Sequence, residues 1–166
     1  YFSEDQGRFL WQIYMADLTD INNPVVTRIS DGQADDLDPM FNHAGDQVLY
    51  RSLRDDPTGA RSTIYYMNLD GSNLTQVSDP NGNATNHVWS PDDQLVAYQS
   101  NVANGINDIY VYDTDSQQTR LITENTGTTS ANVSYSAVQD TSPTWLCEST
   151  LLIFTSQIAG NNNPTL

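Results

Sequence analysis

Apolar and polar residues alternate along most of this chain in short runs. Runs such as "QVLYRS" (47–52) and "DIYVYD" (108–113) direct successive side chains to opposite faces, which is the pattern of a β-strand. Gly, Pro, Asn and Asp bound these runs and favour turns between them. No window shows the 3.6-residue period of an amphipathic helix. The pattern therefore predicts an all-β chain of short strands.

One hairpin recurs along the chain. When Phe41, Trp89 and Trp145 are aligned, an aromatic residue follows nine positions later in every copy and a serine eleven positions later. The aromatic residues are Tyr50, Tyr98 and Phe154, and the serines are Ser52, Ser100 and Ser156. Tyr1 and Ser3 match the same ending. The sequence therefore predicts three full hairpins and the tail of a fourth.

Two further elements complete each repeat. An Ile-Tyr pair opens a third strand at Ile13, Ile64 and Ile109. An apolar residue followed by a hydroxyl ends a fourth strand at Ser30, Ser78 and Thr123. A repeat of about 45 to 50 residues with four strands is typical of a β-propeller blade.

The repeats divide the chain into units at approximately 1–30, 31–78, 79–123 and 124–166. The first and last units hold only part of the pattern, so residues 1–166 correspond to about three blades. Propellers typically have about four to eight blades, which stack around an axis. We therefore expect a partial propeller, completed by more of the same protein or by another subunit.

The stretches "WSPDDQLVAYQS" (89–100) and "DIYVYDTDSQQTRLIT" (108–123) resemble the WD40-like PD40 repeat of TolB-like β-propellers. Similar repeats occur in the propellers of dipeptidyl-peptidase and tricorn-type proteases. The resemblance covers nearly the whole chain and implies a fold more specifically than a function. This chain departs from the repeat at Asp93, which stands where a turn glycine is usual, and in the segment 124–142, which is longer than its counterparts.

The net charge of −15 narrows the choice of partner. The chain has 21 acidic residues, mostly Asp, against six basic residues, all of them Arg. This charge disfavours the phosphates of nucleic acids and anionic membrane surfaces. No apolar run approaches the roughly 20 residues of a membrane span. We expect neither nucleic-acid binding nor membrane insertion, and we expect any protein partner to be basic or polar.

The sequence contains little that indicates catalysis. It has no Gly-x-Ser-x-Gly segment and no lysine, and its single cysteine cannot form an internal disulfide. His43 and His87 are interpreted as surface or turn residues. We predict no catalytic residue, no metal ligand and no cofactor, with calcium as an open alternative because the loops are rich in oxygen ligands.

The loops between units are the candidate binding segments. They lead into the first strand of each blade and should gather on one face near the central channel. Their acidic residues are expected to be solvated. The candidate ligand- or partner-binding residues are Asp35, Asp36, Asp38, Asn86, His87, Asp140 and Thr141.

The favoured function is a non-catalytic protein–protein interaction or scaffold module of a TolB-like propeller, located in the periplasm, at the cell surface or in secreted form. The alternative is an accessory propeller of a larger hydrolase with catalysis outside this chain. That hydrolase would be a serine peptidase of the prolyl-oligopeptidase type or a carbohydrate-active enzyme.

Overall fold

The structure is a computed structural model that describes residues 9–103, 105–123, 139–147 and 149–157. All regular structure in these ranges is β-strand, and none of it is a helix with the length and hydropathy needed to cross a membrane. The strand ending predicted at residues 1–3 and most of the predicted insertion, residues 124–138, lie outside the described residues.

The strands form four antiparallel sheets in chain order. The first sheet pairs β1 (Tyr14–Asp17) with β2 (Val25–Arg28). The second contains β3 (Asp36–Phe41), β4 (Gln47–Ser52), β5 (Thr63–Asn68) and β6 (Thr75–Gln76). The third contains β7 (Ala84–Trp89), β8 (Leu95–Ser100), β9 (Asp108–Asp113) and β10 (Gln118–Leu121). The fourth pairs β11 (Gln139–Trp145) with β12 (Leu152–Gln157). The predicted all-β class and four-stranded antiparallel blades are confirmed, whereas the exact unit boundaries stay a prediction.

Consecutive residues are buried in the central strands β4, β5, β8 and β9, so the two four-stranded sheets bury side chains on both faces and must pack against neighbours. One core cluster lies between the first two sheets and includes Ile13, Ile29 and Tyr50. The other joins the two four-stranded sheets, where Trp89 meets the ring of Tyr66 edge-on at 5.6 Å between centroids. Of the aromatic residues that define the repeat, Tyr50, Trp89 and Tyr98 therefore serve contacts between blades, whereas Phe41 and Phe154 are exposed.

A hydroxyl group closes each blade at its fourth strand. The N–H of Ile13 donates to Ser30 Oγ at 3.0 Å, and the N–H of Ile64 donates to Ser78 Oγ at 2.8 Å. The N–H of Ile109 donates to Thr123 Oγ1 at 2.9 Å. Each bond satisfies a main-chain donor of the third strand, at or close to the core, that would otherwise lack a partner. This contact explains why the repeat requires a hydroxyl at that position.

A second repeated bond joins each blade to the next through the main chain. The N–H of Asp36 donates to the carbonyl of Trp11 at 2.9 Å, and the N–H of Ala84 donates to that of Ser62 at 2.8 Å. The N–H of Asp140 donates to the carbonyl of Asn107 at 2.9 Å. The start of every first strand is therefore tied to the start of the third strand of the preceding blade.

Replacing Ser78 with alanine should lower the free energy of unfolding by about 1–3 kcal/mol, because the buried N–H of Ile64 loses its acceptor. Urea unfolding followed by circular dichroism measures the loss. Ser116→Ala, in the exposed turn between β9 and β10, is the control and should change stability by less than about 0.5 kcal/mol. Equal losses in the two variants would rule out the proposed role of the hydroxyl.

Candidate functional site

Every first strand carries a β-bulge at the same repeat position. The pairing shifts between Leu37 and Met40 in β3, between Thr85 and Val88 in β7, and between Thr141 and Thr144 in β11. The first residue of each bulge is exposed and adopts the left-handed backbone conformation: Asp38 with φ 54°, Asn86 with φ 53° and Ser142 with φ 55°. We call Asp38, Asn86 and Ser142 the bulge row. Bulges redirect side chains in this way and are over-represented beside functional sites.

Each member of the bulge row differs in its chemistry. Asp38 forms an ion pair with Arg51 of β4. The side-chain amide of Asn86 donates to Gln99 Oε1 of β8 at 2.8 Å. The same oxygen accepts the N–H of Ser142 at 3.2 Å, which links the second four-stranded blade to the next one. The row thus presents a carboxylate, an amide and a hydroxyl on successive blades.

Asp36 lies at the beginning of β3 and is buried, in contrast to the solvated loop acid that the sequence suggested. Its Oδ1 lies 3.5 Å from Nη2 of Arg54, whose Nη1 lies 3.3 Å from Asp31 Oδ2. Burial raises the pKa of Asp36, opposed by a hydrogen bond from Ser52 and by the charge of Arg54. Asp36 is therefore the buried member of a charge cluster that also contains half-buried Arg54 and exposed Asp31.

Asp35 immediately precedes this strand and is half-buried. Its Oδ1 accepts the main-chain N–H of Trp11 at 2.7 Å, and its carbonyl accepts the N–H of Leu53 at 3.0 Å. The first bond ties the loop before β3 to the preceding blade, and the second ties it to the residue after β4 in its own blade.

His87 is the second residue of the β7 bulge, where the other two copies have Pro39 and Pro143. It is buried, so its interpretation as a surface or turn residue was wrong. Its Nε2 donates to the carbonyl of Asp38 in the neighbouring blade at 2.8 Å. Burial lowers the pKa of His87, opposed by the hydrogen bond to the backbone of Asp38. The ring is therefore neutral at pH 7 and connects two bulges.

Acidification should destabilise the protein through His87. Because its folded-state pKa lies below the value of about 6.5 in the unfolded chain, the unfolded state binds the proton first as the pH falls. The contribution of His87 to the free energy of unfolding is therefore fully present above about pH 6.5 and is lost as the pH falls towards the folded-state pKa. His87→Gln retains a hydrogen-bond donor but does not titrate. The midpoint of thermal unfolding should therefore fall less steeply between pH 7.5 and pH 5.5 in this variant than in the unsubstituted chain. Parallel pH profiles would contradict the prediction.

Asp140 and Thr141 lie at the start of β11. Asp140 is buried and pairs in the ladder with Ser156, and half-buried Thr141 pairs with Thr155. Of the seven candidate residues, Asp38 and Asn86 are exposed and Asp35 and Thr141 are half-buried. The remaining three, Asp36, His87 and Asp140, are buried within and between the blades.

Three residues of this region, Arg51, Gln99 and Ser142, were not predicted from the sequence. A usable signal was present, since Arg51 and Gln99 each stand thirteen positions after the bulge residue of their own unit. Among the residues that the structure describes, no three His, Cys, Asp or Glu side chains are grouped so that they could hold a metal ion.

No protein-family model matches the chain, and no curated protein matches it. Solved structures do match. TolB from Acinetobacter baumannii superposes with a TM-score of 0.61 at 18% identity, over 91% of this chain and 33% of that one. The chain has a TolB-like β-propeller fold.

A putative TolB from Agrobacterium tumefaciens also matches the TolB-like chain, with a TM-score of 0.57 at 18% identity, over 90% of this chain and 52% of that one. The chain thus spans about a third and about half of the length of these two structures. At such identity the likeness concerns the fold alone, and function must be argued from the residues of the site.

Proposed function

We propose that this TolB-like chain is a non-catalytic interaction module whose bulge row binds a polar or basic segment of a partner protein outside the cytoplasm. The observation that carries the proposal is the recurrence of an exposed residue in the left-handed conformation on three successive blades, each with a different polar group. The blades hold these residues in a conformation that costs energy, which is a feature of ligand-binding positions.

The bulge row suits an extended segment better than a small molecule. Its members lie on neighbouring blades, so a ligand must cross blades to contact all three. Asp38 offers acceptor oxygens for a Lys or Arg side chain of the partner, in addition to its ion pair with Arg51. Asn86 and Ser142 offer an amide and a hydroxyl that can bond main-chain groups of the partner.

The charge of the chain supports a basic partner. The net charge is −15, and Asp31 and Asp38 are exposed in and before β3. An acidic surface of this kind attracts a cationic segment over several ångströms and accelerates its association. The association rate should therefore fall as the ionic strength is raised.

Two features support an extracytoplasmic setting. One is the TolB-like fold, and the other is a composition with 18 Asp and no Lys, which suits a salty or extracellular medium. We therefore propose that the partner is bound outside the cytoplasm.

Glycine replacement of the bulge row tests the proposal. Asp38→Gly/Asn86→Gly/Ser142→Gly removes the three side chains, and glycine accepts the positive φ without strain. The matched control is Asp115→Gly/Ser116→Gly/Gln117→Gly, which deletes the same chemistry from the exposed turn between β9 and β10. Each protein is cross-linked in an extract of the native cell envelope, and captured proteins are identified by mass spectrometry.

The unsubstituted chain and the control should capture the same partner, and the bulge-row variant should lose it. Capture of the same partner by all three proteins would show that binding lies elsewhere. Recovery of nothing beyond the bait would count against an interaction module.

A further inference from the structure

Gln99 connects two members of the bulge row. It lies in β8, where it pairs with Thr85, the residue directly before the bulge of its own blade. Its Oε1 accepts the side-chain amide of Asn86 at 2.8 Å and the main-chain N–H of Ser142, in the next blade, at 3.2 Å. Gln99 is only 8% exposed, so its surroundings restrain the side chain. One buried oxygen therefore serves two exposed positions.

The N–H of Ser142 determines which group of Gln99 lies at this point. A main-chain N–H can only donate, so the group that faces it must be the side-chain oxygen of Gln99. Because the same oxygen faces Asn86, Asn86 must present its NH₂ group to it. The side-chain oxygen of Asn86 remains, and within the part of the chain that the structure describes nothing donates to it. A main-chain atom of the next blade thus fixes the polarity of an exposed amide.

Asp38 and Arg51 show the same arrangement one blade earlier. Arg51 occupies in β4 the position of Gln99 in β8, since it pairs with Leu37 directly before the bulge. Its Nε donates to Oδ2 of Asp38, whose side chain is 63% exposed. The other carboxylate oxygen accepts no hydrogen bond from the described residues. In both four-stranded blades, a residue of the second strand orients the exposed side chain of the bulge.

Hydrogen bonds between blades hold the bulges in place. Nε2 of His87 donates to the carbonyl of Asp38 in the preceding blade at 2.8 Å, and the N–H of Ser142 donates back to Gln99. Asn86 stands next to His87 and is itself bonded to Gln99, so it is restrained from both sides. A ligand therefore meets acceptor groups that are already ordered, which lowers the entropic cost of binding.

The groups that remain available on the bulge row are oxygens. Asp38 and Asn86 each offer an acceptor oxygen, and the hydroxyl of Ser142 can accept as well as donate. A ligand that offers only acceptors would place oxygen against oxygen. The carboxylate and the net charge of −15 in addition favour a cation. Ammonium and guanidinium groups meet both requirements, because they are cationic and carry only donors.

We propose that the bulge row binds a cationic segment through the N–H groups of its Lys or Arg side chains, and that Gln99 is the positioning residue that turns the acceptor oxygen of Asn86 towards this segment. The inference rests on the proposed function, because it concerns the same site, and it adds the chemical class that the site selects. Gln99 is buried and acts through Asn86.

Calorimetric titration with two peptides of equal charge tests the chemical class. One is Gly-Lys-Gly-Lys-Gly-Lys with blocked ends, and the other has trimethyllysine in place of each lysine. Trimethylation keeps the charge and removes the N–H donors of the ammonium group. The lysine peptide should bind about tenfold more tightly. Equal affinities would refute recognition of donors, and so would the absence of binding by the lysine peptide.

The capture experiment separates this inference from the proposed function. If the lysine peptide does not bind while the bulge row still captures a partner from the envelope extract, the cationic class is wrong and the interaction module stands. If capture is also independent of the bulge row, the proposed function fails with it.

Two substitutions of Gln99 test its role. Gln99→Leu removes the acceptor and leaves Asn86 without its fixed orientation, so the preference for the lysine peptide should fall at least about threefold. Gln99→Glu retains an acceptor oxygen at this point and should keep the preference. An unchanged preference in Gln99→Leu would overturn the positioning role, as would an equal loss in both variants.

NMR of the unsubstituted chain keeps the test decisive if Gln99→Leu does not fold. The side-chain N–H signal of Asn86 should show a smaller temperature coefficient than that of Asn73, because the amide of Asn86 is hydrogen-bonded. Asn73 is the matched control: it is exposed and left-handed as well, with φ 54°, and its side-chain amide donates to no described residue. Equal coefficients would contradict the orientation assigned to Asn86.

Discussion

Replacing Trp89 with alanine is expected to lower the free energy of unfolding by about 3–5 kcal/mol. Trp89 is only 2% exposed and belongs to the core cluster that joins the two four-stranded blades. Its ring meets Tyr66, and Val96 is its partner across the strands. Truncation removes this contact area and leaves a cavity that the rigid sheets cannot fill. Because the contact joins two blades, the loss should affect the cooperativity of unfolding as well as its midpoint.

Trp145→Ala is the matched comparison, since Trp145 occupies the same repeat position. It is only half-buried, so fewer contacts are lost. We expect its loss to be less than half that of Trp89→Ala. Urea unfolding monitored by circular dichroism measures both. Similar losses for the two variants would mean that the packing difference between the two inter-blade contacts has no energetic consequence.

Replacing Arg54 with methionine should lower the free energy of unfolding by about 3–5 kcal/mol at pH 7. This is the usual effect of removing one partner of a buried ion pair. The carboxylate of Asp36 is fully buried and has Arg54 as its cationic partner. Nη2 of Arg54 also lies 3.3 Å from the hydroxyl of Tyr50, and the guanidinium lies 5.0 Å from the centre of the Tyr65 ring. Methionine retains the apolar stem of the side chain, so the loss reports mainly the charge.

The loss of stability that Arg54→Met causes should become smaller as the pH falls. Burial already raises the pKa of Asp36, and loss of the Arg54 charge raises that pKa further. The folded variant then takes up a proton before the unfolded chain does, so acidification stabilises the fold relative to the unfolded state. The gain appears as the pH falls through the raised folded-state pKa towards the unfolded value of about 3.9.

The double variant Asp36→Asn/Arg54→Met is the control for this interpretation. It removes both charges, so it should be more stable at pH 7 than Arg54→Met alone and should show little of the added pH dependence. Urea unfolding at pH 7 and pH 5 measures each protein. If the free energy of unfolding changes by the same amount between pH 7 and pH 5 in Arg54→Met and in the unsubstituted chain, the ion pair of Asp36 with Arg54 does not have the energetic role assigned to it.

The order and type of the strands could be predicted from the sequence because they depend on local chemistry. Alternation places side chains on two faces, turn residues end the runs, and the recurrence of Trp89, Tyr98 and Ser100 identifies the blade. Even the hydroxyl at Ser78 was visible as a repeated position, although its bond to the N–H of Ile64 was not. None of these features depends on the contacts between blades.

The exposure of the candidate residues was decided by the tertiary structure. Strict alternation would place Asp36 and Asp38 on the same face of β3, but the bulge between Leu37 and Met40 breaks the alternation. Asp36 is consequently buried beside Arg54, while Asp38 is exposed. His87 is buried because the carbonyl of Asp38, in the neighbouring blade, is its partner.

The two tryptophans of the repeat show the same division. Alignment of the repeats places Trp145 at the position of Trp89. Trp89 is buried and packs against Tyr66 of the preceding blade, whereas Trp145 is half-buried and its Nε1 donates to the carbonyl of Val88. Local patterning determined the blades and their register, whereas contacts between blades decided which positions are buried and which are exposed.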